Sequence, residues 1–452
     1  MSVDTQLIEL KEALAEDSTA DIKAQVASLQ PADLAEFIAH EGDGDAELAL
    51  NLLGHLPLSG RARALGYLPD DVQASVAEQM SATALARLLG KMDSDERADL
   101  FKVMDEPRQE QILRQMAIDA REDLRQLASY EEGTVGAIMT SDYVSVPAGQ
   151  TVAEALSLVR ATAPDAETIY QIYIIDDNQR LLGTVSLREL ILSLPSSPLD
   201  DLMATGAVTA QANQEQEEAA RLVSRYDLMA LPVLDEEERL VGIVMHDDAM
   251  DVAQEEATED IHKSATIGKL DNGVGQATLY ELYRKRIVWL VLLVFANIFS
   301  GIGIAHFEET IEAYIVLVFF LPLLVDSSGN AGSQASTLMV RGLATGDVRL
   351  ADWGRMLGRE FLVAAGLGLT MAFAVSVLGV VRGGPDIALV VATSMIALVV
   401  MGSLIGMSLP FMLHRVGWDP AAASAPLVTS IADAVGVVIY FSIATAVLGL
   451  PV

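Results

Sequence analysis

Apolar and polar positions divide this chain into two regimes. From residue 287 onward apolar runs dominate, and five windows reach the roughly 20 residues that a membrane-crossing helix needs: 287–305, 313–340, 361–381, 387–413 and 420–450. Before them, residues 1–130 carry apolar side chains at three and four spacings. The pattern is broken by helix-start signals at Gln30-Pro31-Ala32-Asp33, Leu68-Pro69-Asp70-Asp71 and Met92-Asp93-Ser94-Asp95-Glu96. Helices that restart this often predict an all-α superhelix or repeat array. Asp93, Asp95 and Asp99 suit the positive end of a helix dipole, and as a cluster they could also help bind a cation if another acidic surface faced them.

Residues 131–261 contain an internal duplication. Ile174-Ile175-Asp176-Asp177-Asn178-Gln179-Arg180-Leu181-Leu182-Gly183-Thr184-Val185 matches Val233-Leu234-Asp235-Glu236-Glu237-Glu238-Arg239-Leu240-Val241-Gly242-Ile243-Val244. Each block predicts strand, polar turn, strand, then a helix opening with acids. The duplicated α/β unit resembles a tandem cystathionine-beta-synthase (CBS) pair, a regulatory module that in other families binds adenine nucleotides or senses ions. Residues 262–283 then form a connecting segment. Two glycines within Asp271–Gln276 are expected to interrupt it, and Leu279, Leu282 and Tyr283 resume a helical pattern. It is either a transmitter of movement or a passive linker.

Basic residues fix the expected orientation. Arg284, Lys285 and Arg286 precede the first window, Arg341, Arg349, Arg355 and Arg359 follow the second, and Arg415 follows the fourth. The alternate loops hold only Arg382, so the N-terminus is expected inside and the C-terminus outside a cell (inner) membrane. Met1 to Lys11 lack a basic run leading into an apolar core, so no cleaved leader is expected.

Charge sharpens the picture. The formal net charge is −34, from 63 acidic against 29 basic residues, and nearly all the excess lies before Arg284. Such acidity repels nucleic acid and favours cations. The chain has no cysteine, which removes disulfides and thiolate metal sites. No nucleophile and base pairing stands out, and the six His show no ligand spacing, so an enzyme is not expected.

Asp433 is the one ionisable side chain near the middle of the last apolar run. A carboxylate at membrane depth costs about 2.5–3.5 kcal/mol on insertion scales, so it normally faces water or an ion. Pro426, Thr429, Ser430 and Gly436 share its helical face, and small residues there allow close helix approach. The alternative is a hydrogen bond from Asp433 to a hydroxyl across a helix interface. The second window contains a polar interruption, Asp326-Ser327-Ser328-Gly329-Asn330-Ala331-Gly332-Ser333-Gln334, of the kind that packs on protein or lines water; Gly329, Asn330 and Asp326 are its pore-lining candidates. In the soluble part, Asp247, Asp251, Glu255 and Glu259 recur every four residues beside Asp248 and Glu256. Like charges at this spacing destabilise a helix by about 0.2–0.5 kcal/mol per pair. A hydrated Mg2+ would relieve the penalty, a solvated acidic face being the alternative. Glu215, Glu217 and Asp227 are candidates to complete an acidic interface.

Gly329-Asn330-Ala331-Gly332-Ser333-Gln334 followed by Arg341-Gly342-Leu343-Ala344-Thr345-Gly346, together with Pro426 and Asp433, resembles the MgtE-type magnesium channel family. The order of helical N-domain (1–130), CBS pair (131–261), connecting helix (262–283) and five-helix transmembrane domain (284–452) matches that family over the whole chain. The resemblance implies a homodimeric Mg2+ channel in the lipid bilayer, with its pore on the two-fold axis. Asp433 of both subunits would hold a largely hydrated ion. It also implies a cytosolic sensor in which Mg2+ bridges Asp95, Asp248, Asp251, Glu256 and Glu259 and closes the pore. Family members with Asn before the last-span proline have a side-chain oxygen that Ala425 here lacks. ATP is a further candidate ligand of the CBS pair, with Arg188 as its candidate contact. Two alternatives are carried: transport of Co2+ or Mn2+, and a membrane-anchored nucleotide or cation sensor that transports nothing.

Overall fold

The computed structural model describes residues 3–16, 18–41, 45–164, 166–268, 270 and 277–449. The chain folds as two compact units, Met1–Gln254 and Glu255–Val452.

The first unit begins with a stack of short helices. Each packs on the one two places further along: Thr19–Ser28 on Ala46–Gly54, Pro31–Glu41 on Leu58–Gly66, Asp70–Gln79 on Ser94–Lys102, and Ser94–Lys102 on Ile118–Ala128. Helices this short are marginal alone and are held by the face they bury. One continuous core supplies it, including Leu10, Ile38, Leu52, Leu65, Leu85 and Ile112. Three of the restarts carry a side-chain cap. The Asp45 carboxylate accepts the Glu47 N–H at 2.9 Å, the Ser81 hydroxyl accepts from Ala84 at 3.3 Å, and Asp105 accepts from Arg108 at 3.1 Å.

The duplicated region forms two small sheets with the same topology. In the first, β1 (Ser145–Pro147) runs parallel to β2 (Gln171–Ile175), which pairs antiparallel with β3 (Leu181–Ser186). In the second, β4 (Ala210–Gln211) runs parallel to β5 (Ala230–Leu234), which pairs antiparallel with β6 (Leu240–Met245). The two hairpin turns are built alike. Asp176 accepts the N–H groups of Asn178 and Arg180, and Asp235 accepts those of Glu237 and Arg239. Gly183 and Gly242 occupy equivalent places where a Cβ would stand 2.8 and 2.9 Å from the carbonyl oxygens of Ala204 and Thr140. Each glycine lets its strand bridge to the other half, through Thr184 with Ala204 and Ile243 with Thr140.

The second unit is helical. Helix His246–Ser264 enters it, and the following described helices are Leu279–Ala296, Ile298–His306, Glu308–Ala313, Val316–Ala344, Trp353–Arg415 and Ala425–Leu448. The 271–276 stretch expected to interrupt the connecting segment lies outside the described residues, as does Leu450 at the end of the fifth window. Among the described residues, four helical stretches are long and apolar enough to cross a membrane: Leu279–His306, Val316–Ala344, Leu350–Arg415 and Ala425–Leu448. The count of five windows becomes four because the third and fourth share one stretch, which is a hairpin. Gly384 breaks it at φ 83° and ψ −176°, followed by Pro385. Beyond the turn the arms lie side by side, with Gly379 against Ala388 and Gly368 against Ile396. The polar run 326–334 is helical throughout, so it interrupts the apolar pattern and not the helix. Its glycines serve packing. A methyl group on Gly402 or Gly406 would overlap the backbone of Ser328 or Gly332, and one on Gly332 would stand 2.7 Å from the Gly402 carbonyl. This crossing leads into a core of Leu317, Phe320, Leu324, Val391, Leu398 and Tyr440.

Candidate ion pathway and acidic clusters

Two polar stripes adjoin in the second unit. On Val316–Ala344, Asp326, Asn330 and Thr337 are exposed and Ser333 is half-buried. Their spacing of four, three and four puts them on one helical face. On Ala425–Leu448, Pro426, Thr429 and Asp433 are half-buried at spacings of three and four. Pro426 sits in the first turn, where its missing N–H has no partner to lose, and the Ser424 hydroxyl caps the helix by accepting the Leu427 N–H at 3.4 Å. The stripes meet where the Ser333 hydroxyl lies 3.4 Å from both the Thr429 hydroxyl and the Ala425 carbonyl oxygen. Ala425 thus contributes a backbone oxygen although its side chain has none. Gly329 packs on Thr429, and Gly436 lies buried against Val325 and Leu398. Ser430, placed with this face by its spacing, is instead buried at 8% exposure. Asn330 donates its side-chain amide to Asp326 at 3.1 Å. A polar face on apolar helices is stable where water or protein covers it. Thr429, four residues before Asp433 on the same helix, has its hydroxyl 3.4 Å from that of Ser333.

In the first unit, Asp95 and Asp248 come together, one in the first turn of Ser94–Lys102 and the other in the first turn of His246–Ser264. Glu96 and Glu167 join them. Burial, then mutual repulsion, pushes Glu96, Glu167 and Asp248 up to about 8, and burial raises Asp95 to about 6. Among the described residues, one buried carboxylate oxygen on each of the four has no hydrogen-bond partner. Thr140 bonds Glu167, and its hydroxyl also lies 2.9 Å from that of Ser94, which accepts the Ser141 N–H at 2.7 Å. These bonds tie the helical stack to the first strand unit. Orphaned buried oxygens of this kind call for a partner, and an all-oxygen donor set suits a hard cation. Among the described residues, no three acidic or His side chains already form a closed metal shell. The cluster is looser than a cage. Asp251 is exposed and lies within Coulombic range of Asp248.

A second acidic group lies wholly in the other unit. Glu256 and Asp419 both act on Asp260, whose carboxyl is raised by burial and then by Asp419. Lys263 joins Glu259 at 2.5 Å and Asp419 at 2.6 Å. Glu215, Glu217 and Asp227 are not brought together. The first two lie at the start, and Asp227 at the left-handed end, of the 11-residue helix Gln216–Tyr226, a span of about 16 Å. Arg188 is exposed on the short helix Leu187–Leu192.

Four functional candidates were not singled out from the sequence. Glu96 stands beside Asp95 in a first turn, where an acid is ordinary; Glu167 is a lone loop acid with no signal. Asp260 and Asp419 become visible only once the helix end and the loop before the last helix meet.

A helical unit with membrane-length apolar stretches and adjoining polar stripes, carried with an acidic unit that contains a duplicated α/β fold, is the architecture of a membrane cation transporter. The family model described as MgtE, divalent cation transporter, matches residues 321–443, the MgtE intracellular N domain matches 29–133, and CBS domains match 135–196 and 199–255. A protein named magnesium transporter MgtE from Thermus thermophilus is 43% identical over 318 residues, 70% of this chain and 71% of that one. A Bacillus subtilis protein of the same name is 36% identical over 71% of each chain. Among solved structures, the soluble part of a magnesium transporter has a TM-score of 0.51 at 28% identity, covering 57% of this chain and 100% of that one. The cytosolic domain of the Mg2+ channel MgtE in complex with ATP has a TM-score of 0.51 at 35% identity, covering 54% of this chain and 99% of that one. The chain belongs to the MgtE family.

Proposed function

We propose that this protein is a homodimeric Mg2+ channel of the cell membrane, and not an enzyme, that admits Mg2+ and is closed when cytosolic Mg2+ rises. The observation that carries this reading is the joined polar stripe of Asp326, Asn330, Ser333, Thr429 and Asp433 on two apolar helices. Across a two-fold axis the stripe and its copy enclose a wet path with Pro426 at its wall, Gly329 and Gly436 are buried behind it where they let the helices approach, and Asp433 of each subunit faces the ion. Mg2+ gives up water reluctantly, so the carboxylates hold it through its hydration shell. The hairpin at Gly384 supports five crossings. Its two arms are each about 46 Å of helix, longer than the roughly 30 Å hydrocarbon layer. With the basic loops inside, the N-terminus is cytosolic and the C-terminus outside.

The closing mechanism we propose uses both acidic groups. Without Mg2+ the carboxylates of Asp95, Glu96, Glu167 and Asp248 repel one another, and Mg2+ bound among them, with Asp251 nearby, draws the helical stack and the CBS pair together. Glu256 and Glu259, with Asp260 and Asp419, act in the same sense next to the membrane helices. Residues 1–130, 131–261, 262–283 and 284–452 are then sensor, regulator, transmitter and pore. The CBS pair is proposed to bind ATP with Arg188 as a contact, supported by the solved neighbour named as an ATP complex. Glu215, Glu217 and Asp227 are proposed as further acids of the sensor surface.

The test is flux through the full-length protein in vesicles. Asp433→Ala is expected to abolish Mg2+ uptake while the dimer stays intact by size; normal uptake would overturn the assignment. Competition by Co2+ and Mn2+ in the same assay measures selectivity.

A further inference from the structure

The helices that carry Asp326 and Asp433 are antiparallel, because contacts rise along one as they fall along the other: Ser333 and Gly329 against Thr429, then Val325 against Gly436. These contacts bracket both acids. Asp326 is three residues outward from Gly329, about 4.5 Å, and Asp433 is four residues outward from Thr429, about 6 Å. Counted from the Gly436 and Val325 contact instead, they differ by about 3 Å, so the two carboxylates sit within about 3 Å of one level by helical rise. Each also lies on the open side of its helix, Asp326 exposed and Asp433 half-buried. They are close enough for their charges to interact. Asp326 spends one oxygen on the Asn330 amide.

We infer that Asp326 is a specificity-determining residue that shares the ion level with Asp433, so that the paired subunits present four carboxylates there and not two. This rests on the pore reading above and assigns the second acid a role that reading does not require. The physical consequence is electrostatic. A dication and a carboxylate about 7 Å apart across water attract strongly enough to change a binding constant about fivefold to tenfold. For a monovalent ion the energy is half as large. Doubling the carboxylates thus raises divalent affinity and widens the margin over Na+ or K+. Because Mg2+ keeps its waters, the added acids act on the hydrated ion and need no inner coordination site.

The test uses full-length protein in vesicles and reads the Mg2+ dependence of flux, together with Mg2+ block of Na+ flux. Asp326→Asn keeps the shape and the Asn330 contact but removes the charge. Because each of the two subunits loses a charge, it is expected to raise the half-saturating and half-blocking Mg2+ concentrations roughly 25-fold to 100-fold. Asp326→Glu restores the charge and is expected within about twofold of the parent. Half-saturation of Asp326→Asn within twofold of the parent, or an equal loss in Asp326→Glu, overturns the inference. Neither result touches the pore reading, which fails only if Asp433→Ala conducts Mg2+ normally.

Discussion

The carboxyl groups of Glu96, Glu167 and Asp248 are held near 8, and that of Asp95 near 6, because burial removes water and neighbouring acids repel. Their sign is opposite to that of a salt-bridged acid. A carboxyl whose pKa is higher in the folded chain favours folding while protonated. That contribution is complete below its unfolded value near 4 and is lost as pH rises through its folded value. Without Mg2+, the full-length protein in detergent is therefore expected to melt about 5 °C lower at roughly pH 8.5 than at pH 6. Added Mg2+ should recover most of the difference at the higher pH. Glu96→Gln combined with Asp248→Asn should shrink it, and equal melting of the parent at both pH values without Mg2+ would contradict the account. At this same scale, Asp433 stands out in the sequence because a carboxylate within an apolar run is costly unless water, an ion or a hydroxyl meets it. Glu96 and Glu167 do not, because a first-turn acid and a loop acid look alike whether solvated or buried.

At the scale of elements, the membrane unit depends on how closely two helices approach. Gly402 and Gly406 meet the backbone of Ser328 and Gly332 with no room for a side chain, and the Ser328 hydroxyl donates to the Leu398 carbonyl at 2.8 Å across the same crossing. Gly406→Ala is expected to destabilise this unit by about 1–3 kcal/mol, seen as a lower denaturation midpoint in detergent. An unchanged midpoint would mean that the helices can separate freely. In the first unit, the fully buried Ser94 links the stack to the strands. Ser94→Ala leaves the Ser141 N–H without its acceptor and is expected to cost about 1–3 kcal/mol, checked by chemical denaturation of the full chain. The helix starts at Pro31, Asp70 and Ser94 and the duplicated turns were readable in advance, since both are local in sequence, whereas the side-chain caps fall elsewhere, at Asp45, Ser81 and Asp105. The hairpin was readable only as two apolar windows. The reversal at Gly384 takes the positive φ that glycine accepts at little cost.

For the whole molecule, the proposed sensor makes an expectation that no single unit can satisfy. Asp95→Asn together with Asp248→Asn is expected to leave Mg2+ flux intact in vesicles yet remove most of its decline as internal Mg2+ is raised. A decline equal to the parent's would place the sensor elsewhere. What the amino-acid order determined alone is what depends on neighbours in sequence: the apolar windows, the basic loops, the restarting helices, the duplication and the motifs that resemble one family. Hydropathy and periodicity are short-range, so they survive in one dimension. Which acids meet was decided only in three dimensions. Asp95 finds Glu167 and Asp248, and Lys263 finds Asp419, while Glu215 and Asp227 fall at opposite ends of one helix. Convergence of charges far apart in the chain is set by packing, and burial, not residue type, separates a solvated acid from one that needs a partner.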